Sequence, residues 1–178
     1  MADYMKKWLK RGLVTGLILF VAMQLVPVNR TQPAVDAAKK LPAPPEVEAI
    51  LRASCYDCHS NETQWPWYAQ VAPVSWWIAN HVNDGRRRLN LSEWANLHPK
   101  AGRDVEMGSG RILTQAQFQV KILGDMETAI MEGQMPLPSY LIIHTGARIS
   151  PAQFKILSDW FHQTAAQITA AAAAAKAK

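Results

Sequence analysis

The sequence predicts an all-α fold, and three observations carry that prediction. No stretch alternates apolar and polar residues over a useful strand length. Beyond residue 44, apolar residues recur three and four positions apart, the spacing that lines one helix face. Between two of these stretches lies Cys55-Tyr-Asp-Cys-His59, whose cysteines stand three positions apart, the spacing of one helical turn.

The chain opens on Lys6, Lys7, Lys10 and Arg11, followed by Gly12–Val26 without a charge. Its exit, Pro27-Val-Asn-Arg-Thr-Gln-Pro33, lacks a small-residue cleavage triplet; Val35-Asp-Ala37 is the nearest weak candidate. This pattern predicts an uncleaved transmembrane anchor at 12–28 behind a cytoplasmic basic segment at 1–11. By the positive-inside rule the rest faces the periplasm from a bacterial inner (cytoplasmic) membrane. Residues 29–44, rich in Pro and Ala, read as a linker.

A domain over 45–163 follows. Pro44-Pro45 opens a short helix with Val47, Ile50 and Leu51 on one face, running into the cysteine motif. Asn61 and Pro66 punctuate a loop, after which Val74, Trp77, Ile78, His81 and Val82 predict one face of a helix ending near Gly85. Ser92-Glu-Trp94 adds a short turn, and 95–111 dissolves into Gly, Pro and charge, an excursion expected to be flexible. Thr114-x-x-Gln117 predicts a capping box opening a helix striped with Phe118, Ile122, Met126 and Ile130 and stopped by Gly133. Ser150-Pro-x-Gln153 opens the last helix, with Phe154, Leu157, Trp160 and Phe161, and residues 164–178 form an Ala-rich tail, frayed or disordered.

Charge narrows the partners. The net +5 arises at the ends: 41–163 carries ten Arg/Lys against twelve Asp/Glu, a net of −2. No nucleic-acid partner is expected, because that needs a basic face on the domain itself.

The chemistry lies in the motif. C-x-x-C-H is the attachment signature of a c-type haem: both thiols can reach the two vinyl groups of one porphyrin, and the next histidine can ligate the iron. Three other readings compete. Zinc wants four protein ligands, and with one cysteine pair it would need distant residues such as His98 or His144. A thioredoxin-like pair belongs at a strand–helix junction, and no strand pattern precedes Cys55. A disulfide at this spacing closes too small a loop to stabilise much.

A sixth iron ligand is expected at Met135, which Pro136 restricts to extended backbone. Its plainer role is core filling. Met107 lies in the excursion, and Met126 and Met131 belong to a helix. His144 is the alternative ligand, while His81, His98 and His162 read as surface or packing residues. His59 should donate its second ring nitrogen to a backbone carbonyl, sought around Pro66 to Pro73. Trp65, Trp76, Trp77 and Tyr140 are expected to wall the pocket, with ordinary packing as the competing role. One of Arg86, Arg87 and Arg88 could meet a haem propionate, though a solvated patch is the default.

The segments Ser54–Thr63, Trp65-Pro-Trp-Tyr68, Ala72-Pro-Val-Ser-Trp76, Leu89-Asn-Leu-Ser-Glu-Trp94 and Met135-Pro-Leu-Pro-Ser-Tyr140 together resemble the bacterial haem-binding-domain family, membrane-tethered or exported cytochrome c-like proteins. The resemblance covers about 45–162 and implies a cytochrome c-like, monohaem c-type fold with Cys55, Cys58 and His59 carrying the haem. It sets Met135-Pro136 in the place of the methionine-ligand loop of cytochromes c.

These readings combine into a membrane-anchored monohaem c-type cytochrome transferring electrons on the periplasmic side. It is expected to be an electron-transfer protein rather than an enzyme, with one covalent haem c and His59/Met135 ligation. Its expected partners are a redox protein or a membrane oxidoreductase complex, and the membrane itself through the N-terminal helix. A haem sensor or peroxidase-like protein with an open or displaceable sixth position is the competing function. A structural haem subunit or a non-haem CxxC oxidoreductase is a third.

Overall fold

The computed structural model describes residues 1–99 and 111–177. Its described residues form α-helices and short 3-10 turns and contain no strand. The helices are α1 (Ala2–Gln24), α2 (Pro45–Ser54), α3 (Tyr56–His59), α4 (Val74–Arg88), α5 (Gln115–Met131), α6 (Pro138–Leu141) and α7 (Pro151–Lys176).

The all-α expectation stands, but the expected membrane anchor does not. No described helix is long and apolar enough to cross a membrane. The reason lies in where the charges fall. Every 18-residue window of α1 includes Lys7, Lys10 and Arg11, so its uncharged part is only Gly12–Gln24. At ~1.5 Å per residue that part reaches about 20 Å, well short of a ~30 Å hydrocarbon core. The assignment of 12–28 as a span, and with it the single-pass inner-membrane placement, is therefore corrected. α1 is exposed along its length and meets the domain at its last turn. There the Gln24 side chain accepts from the Ala72 N–H (2.8 Å) and donates to the Ala72 carbonyl (3.3 Å).

The segment read as a linker lies along the domain. Arg30 donates to the Ala69 carbonyl, Arg86 to the Thr31 carbonyl, and the Leu41 N–H to the Leu91 carbonyl at 2.8 Å. Leu41 is itself a core residue.

The main core joins α2, α5 and α7 through Ile50, Leu51, Leu123, Leu157, Trp160 and Phe161. The predicted capping box forms at Thr114/Gln117 on α5, and Ser150/Gln153 forms another at the predicted start of α7, so each of these helices starts where its side chains satisfy the orphan N–H groups. Glu127 of α5 accepts from Ser158 and sits 3.0 Å from His162, both on α7. α7 continues helical across the 163/164 boundary to Lys176.

The predicted face of α4 differs from the observed one. Its buried residues are Ser75, Ala79, Val82 and Gly85, whereas Val74 and Trp77 are exposed. Small side chains face inward because α3 approaches closely. A Cβ on Gly85 would stand 3.1 Å from the carbonyl carbon of Cys58 and would run into its oxygen.

Candidate functional site

The site begins where α2 hands over to α3. The Cys55 N–H donates to the Leu51 carbonyl, and the Cys58 and His59 N–H groups donate to the Cys55 carbonyl at 3.2 and 2.9 Å. This turn places Cys55, Cys58 and His59 along one cavity wall. Both cysteines are free thiols. Burial, then the neighbouring Cys58, pushes the Cys55 thiol up to about 12, and burial with Asp57 pushes Cys58 up to about 11, so both stay protonated at neutral pH.

The chain after the motif is buried and polar, and it fixes the turn. Ser60 Oγ donates to the Tyr56 carbonyl, Thr63 Oγ1 to the Asp57 carbonyl, and the Asn61 N–H to Ser92 Oγ. Arg86 bonds the Ser60 carbonyl (2.7 Å) and Thr63 Oγ1 (2.8 Å), which gives it a structural role. On the other flank Lys40 and Arg52 both lie over the Tyr56 ring, and its hydroxyl donates to Glu48. Burial opposes ionisation of Glu48, but hydrogen bonds from Lys40 and Tyr56 and the charges of Lys40 and Arg52 outweigh it. They hold the carboxyl below its usual range.

His59 has the partner expected of a ligand, in a different place from the loop where the sequence directed the search. Its Nδ1 lies 3.1 Å from the Leu89 carbonyl at the end of α4. A carbonyl can only accept, so Nδ1 carries the proton and Nε2 keeps a free lone pair. Burial, outweighing the bonds to Leu89 and Gly85 and helped by Arg88, pulls the pKa of His59 down and keeps the imidazole neutral.

Two adjoining cavities share Ser54, Cys55, His59, Arg88 and Met135. The larger holds about 500 Å³ and is faced by Phe118, Ile122, Met126 and Ile130, the whole predicted stripe of α5. The smaller, about 170 Å³, adds Cys58, His81, Gly85 and Tyr140. Volumes of this order suit a large organic cofactor. Met135 reaches both cavities from the turn after α5. Gly133 takes φ +68° there, and the Gln134 and Met135 N–H groups both donate to the Ala129 carbonyl. Only glycine adopts that backbone without strain, so the helix stop places the methionine.

The remaining expected residues divide. Tyr140 borders the smaller cavity and a third one of about 80 Å³, where Trp65, Trp77 and His144 are found. His144 lies there rather than beside His59: it stacks on Tyr140 and its Nε2 is 3.3 Å from the Tyr68 hydroxyl. Trp76 borders none of these three cavities, and its indole N–H and that of Trp65 are buried without a partner. Met107 lies outside the described residues. Arg88 stands exposed at the cavity edge, Arg87 pairs with Asp84, and Lys121, also at the edge, pairs with Asp125. His81, a surface or packing residue by sequence, borders the smaller cavity with its Nδ1 2.8 Å from the Trp77 carbonyl. The sequence sets it on the same helix face as Trp77 and Val82, but its place beside the cysteine motif follows from the packing of α4 on α3.

The donor set matches a haem: two thiols and an imidazole with a free Nε2 on one side, a thioether opening onto the same space, an apolar wall, and cations at the edge suited to carboxylates. No curated protein and no solved structure matches the chain. The family model described as "Haem-binding domain" matches residues 18–163. A match of that extent, over a cavity with these donors, makes this a haem-binding protein and a member of the haem-binding domain family.

Proposed function

We propose that the chain is a c-type electron-transfer protein, holding one haem through Cys55 and Cys58 with His59 and Met135 as axial ligands. The observation that carries this reading is the convergence of those four side chains on adjoining cavities, with the Nε2 of His59 left free by its bond to Leu89. One-electron exchange at iron is the chemistry the group supplies when bound.

The protein's part is to bind, orient and exclude water. Cys55 and Cys58 supply the sulfurs for two thioether links, and α3 spaces them on one turn. Leu89 fixes the His59 ring, and the stripe of α5 supplies an apolar wall. Arg88 supplies a cation for a propionate. The soft sulfur of Met135 favours the ferrous state. Electrons would pass to or from a redox partner protein.

A displaceable sixth position is the second reading, supported by the 37% exposure of Met135. Haem staining after denaturing electrophoresis tests the attachment. Cys55→Ala and Cys58→Ala should each weaken the haem-stained band, and the double variant should lack it. Retention of covalent haem by the double variant refutes the c-type assignment. The ferric spectrum and a redox titration then separate a low-spin carrier from a high-spin, open site.

A further inference from the structure

Tyr140 follows Met135 by five residues, and its hydroxyl donates to Oδ2 of Asp57 at 2.7 Å. Asp57 is an interior residue of the C-x-x-C-H motif, where the signature itself demands no particular side chain. Its other oxygen accepts the Gln64 N–H at 2.9 Å, so the carboxylate is aimed from both ends. The phenol ring is held as well. It stacks on His144 with centroids 4.0 Å apart and planes 9° apart, and the Tyr140 carbonyl lies 3.1 Å from His144 Nδ1.

Upstream, the Met135 segment is pinned to α5 by the N–H groups of Gln134 and Met135 on the Ala129 carbonyl. Among the described residues, Tyr140–Asp57 is the hydrogen bond that joins the segment from Met135 to Leu141 to the cysteine motif. Met135 itself is partly exposed, so packing alone holds it weakly.

We propose that the Asp57–Tyr140 hydrogen bond is a latch that holds the Met135 segment against the haem motif, making Asp57 and Tyr140 positioning residues for the sixth ligand. The latch rests on the His59/Met135 reading above. It connects the turn that bears Cys55 and Cys58 directly to the segment that bears Met135. A hydrogen bond to a charged acceptor is worth enough that its loss should raise the population with Met135 detached by about tenfold to a hundredfold.

The test uses the full-length, haem-loaded protein and imidazole as a competing iron ligand. Imidazole can bind only when Met135 is off, so its apparent affinity reports the detached population. Tyr140→Phe, which removes only the hydroxyl, and Asp57→Ala should each tighten imidazole binding by about tenfold or more. Asp57→Asn keeps an acceptor oxygen and should restore much of the wild-type affinity. The double variant Tyr140→Phe/Asp57→Ala should be no tighter than the stronger single, since both changes break one bond. Unchanged imidazole affinity in Tyr140→Phe, with Met135→Ala altering the ferric spectrum, overturns the latch while leaving the ligation reading intact. If Met135→Ala leaves both the spectrum and imidazole binding unchanged, the ligation reading fails and the positioning role falls with it.

Discussion

The Nδ1 of His59 and the carbonyl oxygen of Leu89 lie 3.1 Å apart, and this one contact sets the tautomer of the only histidine in the motif. Leu89 is the residue at which α4 ends, so its carbonyl has no helical partner of its own and is free to accept. The imidazole is thereby aimed by backbone, and substitution of the Leu89 side chain cannot remove the acceptor.

The approach of α4 to α3 depends on Gly85. Gly85→Ala puts a methyl group against the Cys58 backbone, which cannot yield without moving the motif. We expect a loss of about 1–3 kcal/mol in denaturant unfolding, together with reduced haem incorporation. Wild-type stability and haem content in this variant would show that the two helices can separate freely.

Met135→Ala should keep haem attached, because the thioether positions and His59 are untouched. The ferric spectrum should lose its weak far-red sulfur–iron band and shift toward high spin, and the reduction potential should fall, since methionine ligation favours the ferrous state. An unchanged spectrum would redirect the sixth-ligand assignment to another side chain, with His81 of the smaller cavity and His144 of its neighbour the first to substitute.

Arg88 is the exposed cation at the cavity edge, whereas Arg86 is committed to the Ser60 and Thr31 carbonyls. Arg88→Gln should change folding stability by no more than about 0.5 kcal/mol, as is usual for an exposed position. Removing its positive charge should favour the ferric form and lower the potential, with a smaller effect at high salt. A redox titration at two ionic strengths measures this. An unaltered potential would place Arg88 outside the electrostatic reach of the iron.

Glu48 predicts an acid-sensitive element. Its carboxyl is held below the usual range in the folded chain, so the stability it contributes is present above the unfolded pKa and is lost as pH falls through the folded one. Glu48→Gln should cost about 1 kcal/mol at neutral pH, and the difference from wild type should shrink as the solution is acidified. Unfolding midpoints from pH 7 downward test the sign, and a gap that widens on acidification would contradict it.

Sequence alone was enough for the helical class, for the starts of α5 at Thr114 and of α7 at Ser150, and for haem as the cofactor, which the family match bears out. Each of these is written within a few residues of chain: a capping box is a local bond pair, and C-x-x-C-H is a single turn. The N-terminal run misled because apolar character was legible there, but the charges at Lys7, Lys10 and Arg11 share the helix with it and leave too short an uncharged length. Tertiary structure alone decided the rest. The acceptor for His59 came from the end of α4, thirty residues away, rather than from the loop after the motif. The stripe of α5 turned out to face a cavity as well as the core, while Trp77 and His81 of α4 came to border cavities because Gly85 and its small neighbours meet the α3 backbone. Such pairings follow from how helices stack, and side-chain periodicity names a face without naming what that face will meet.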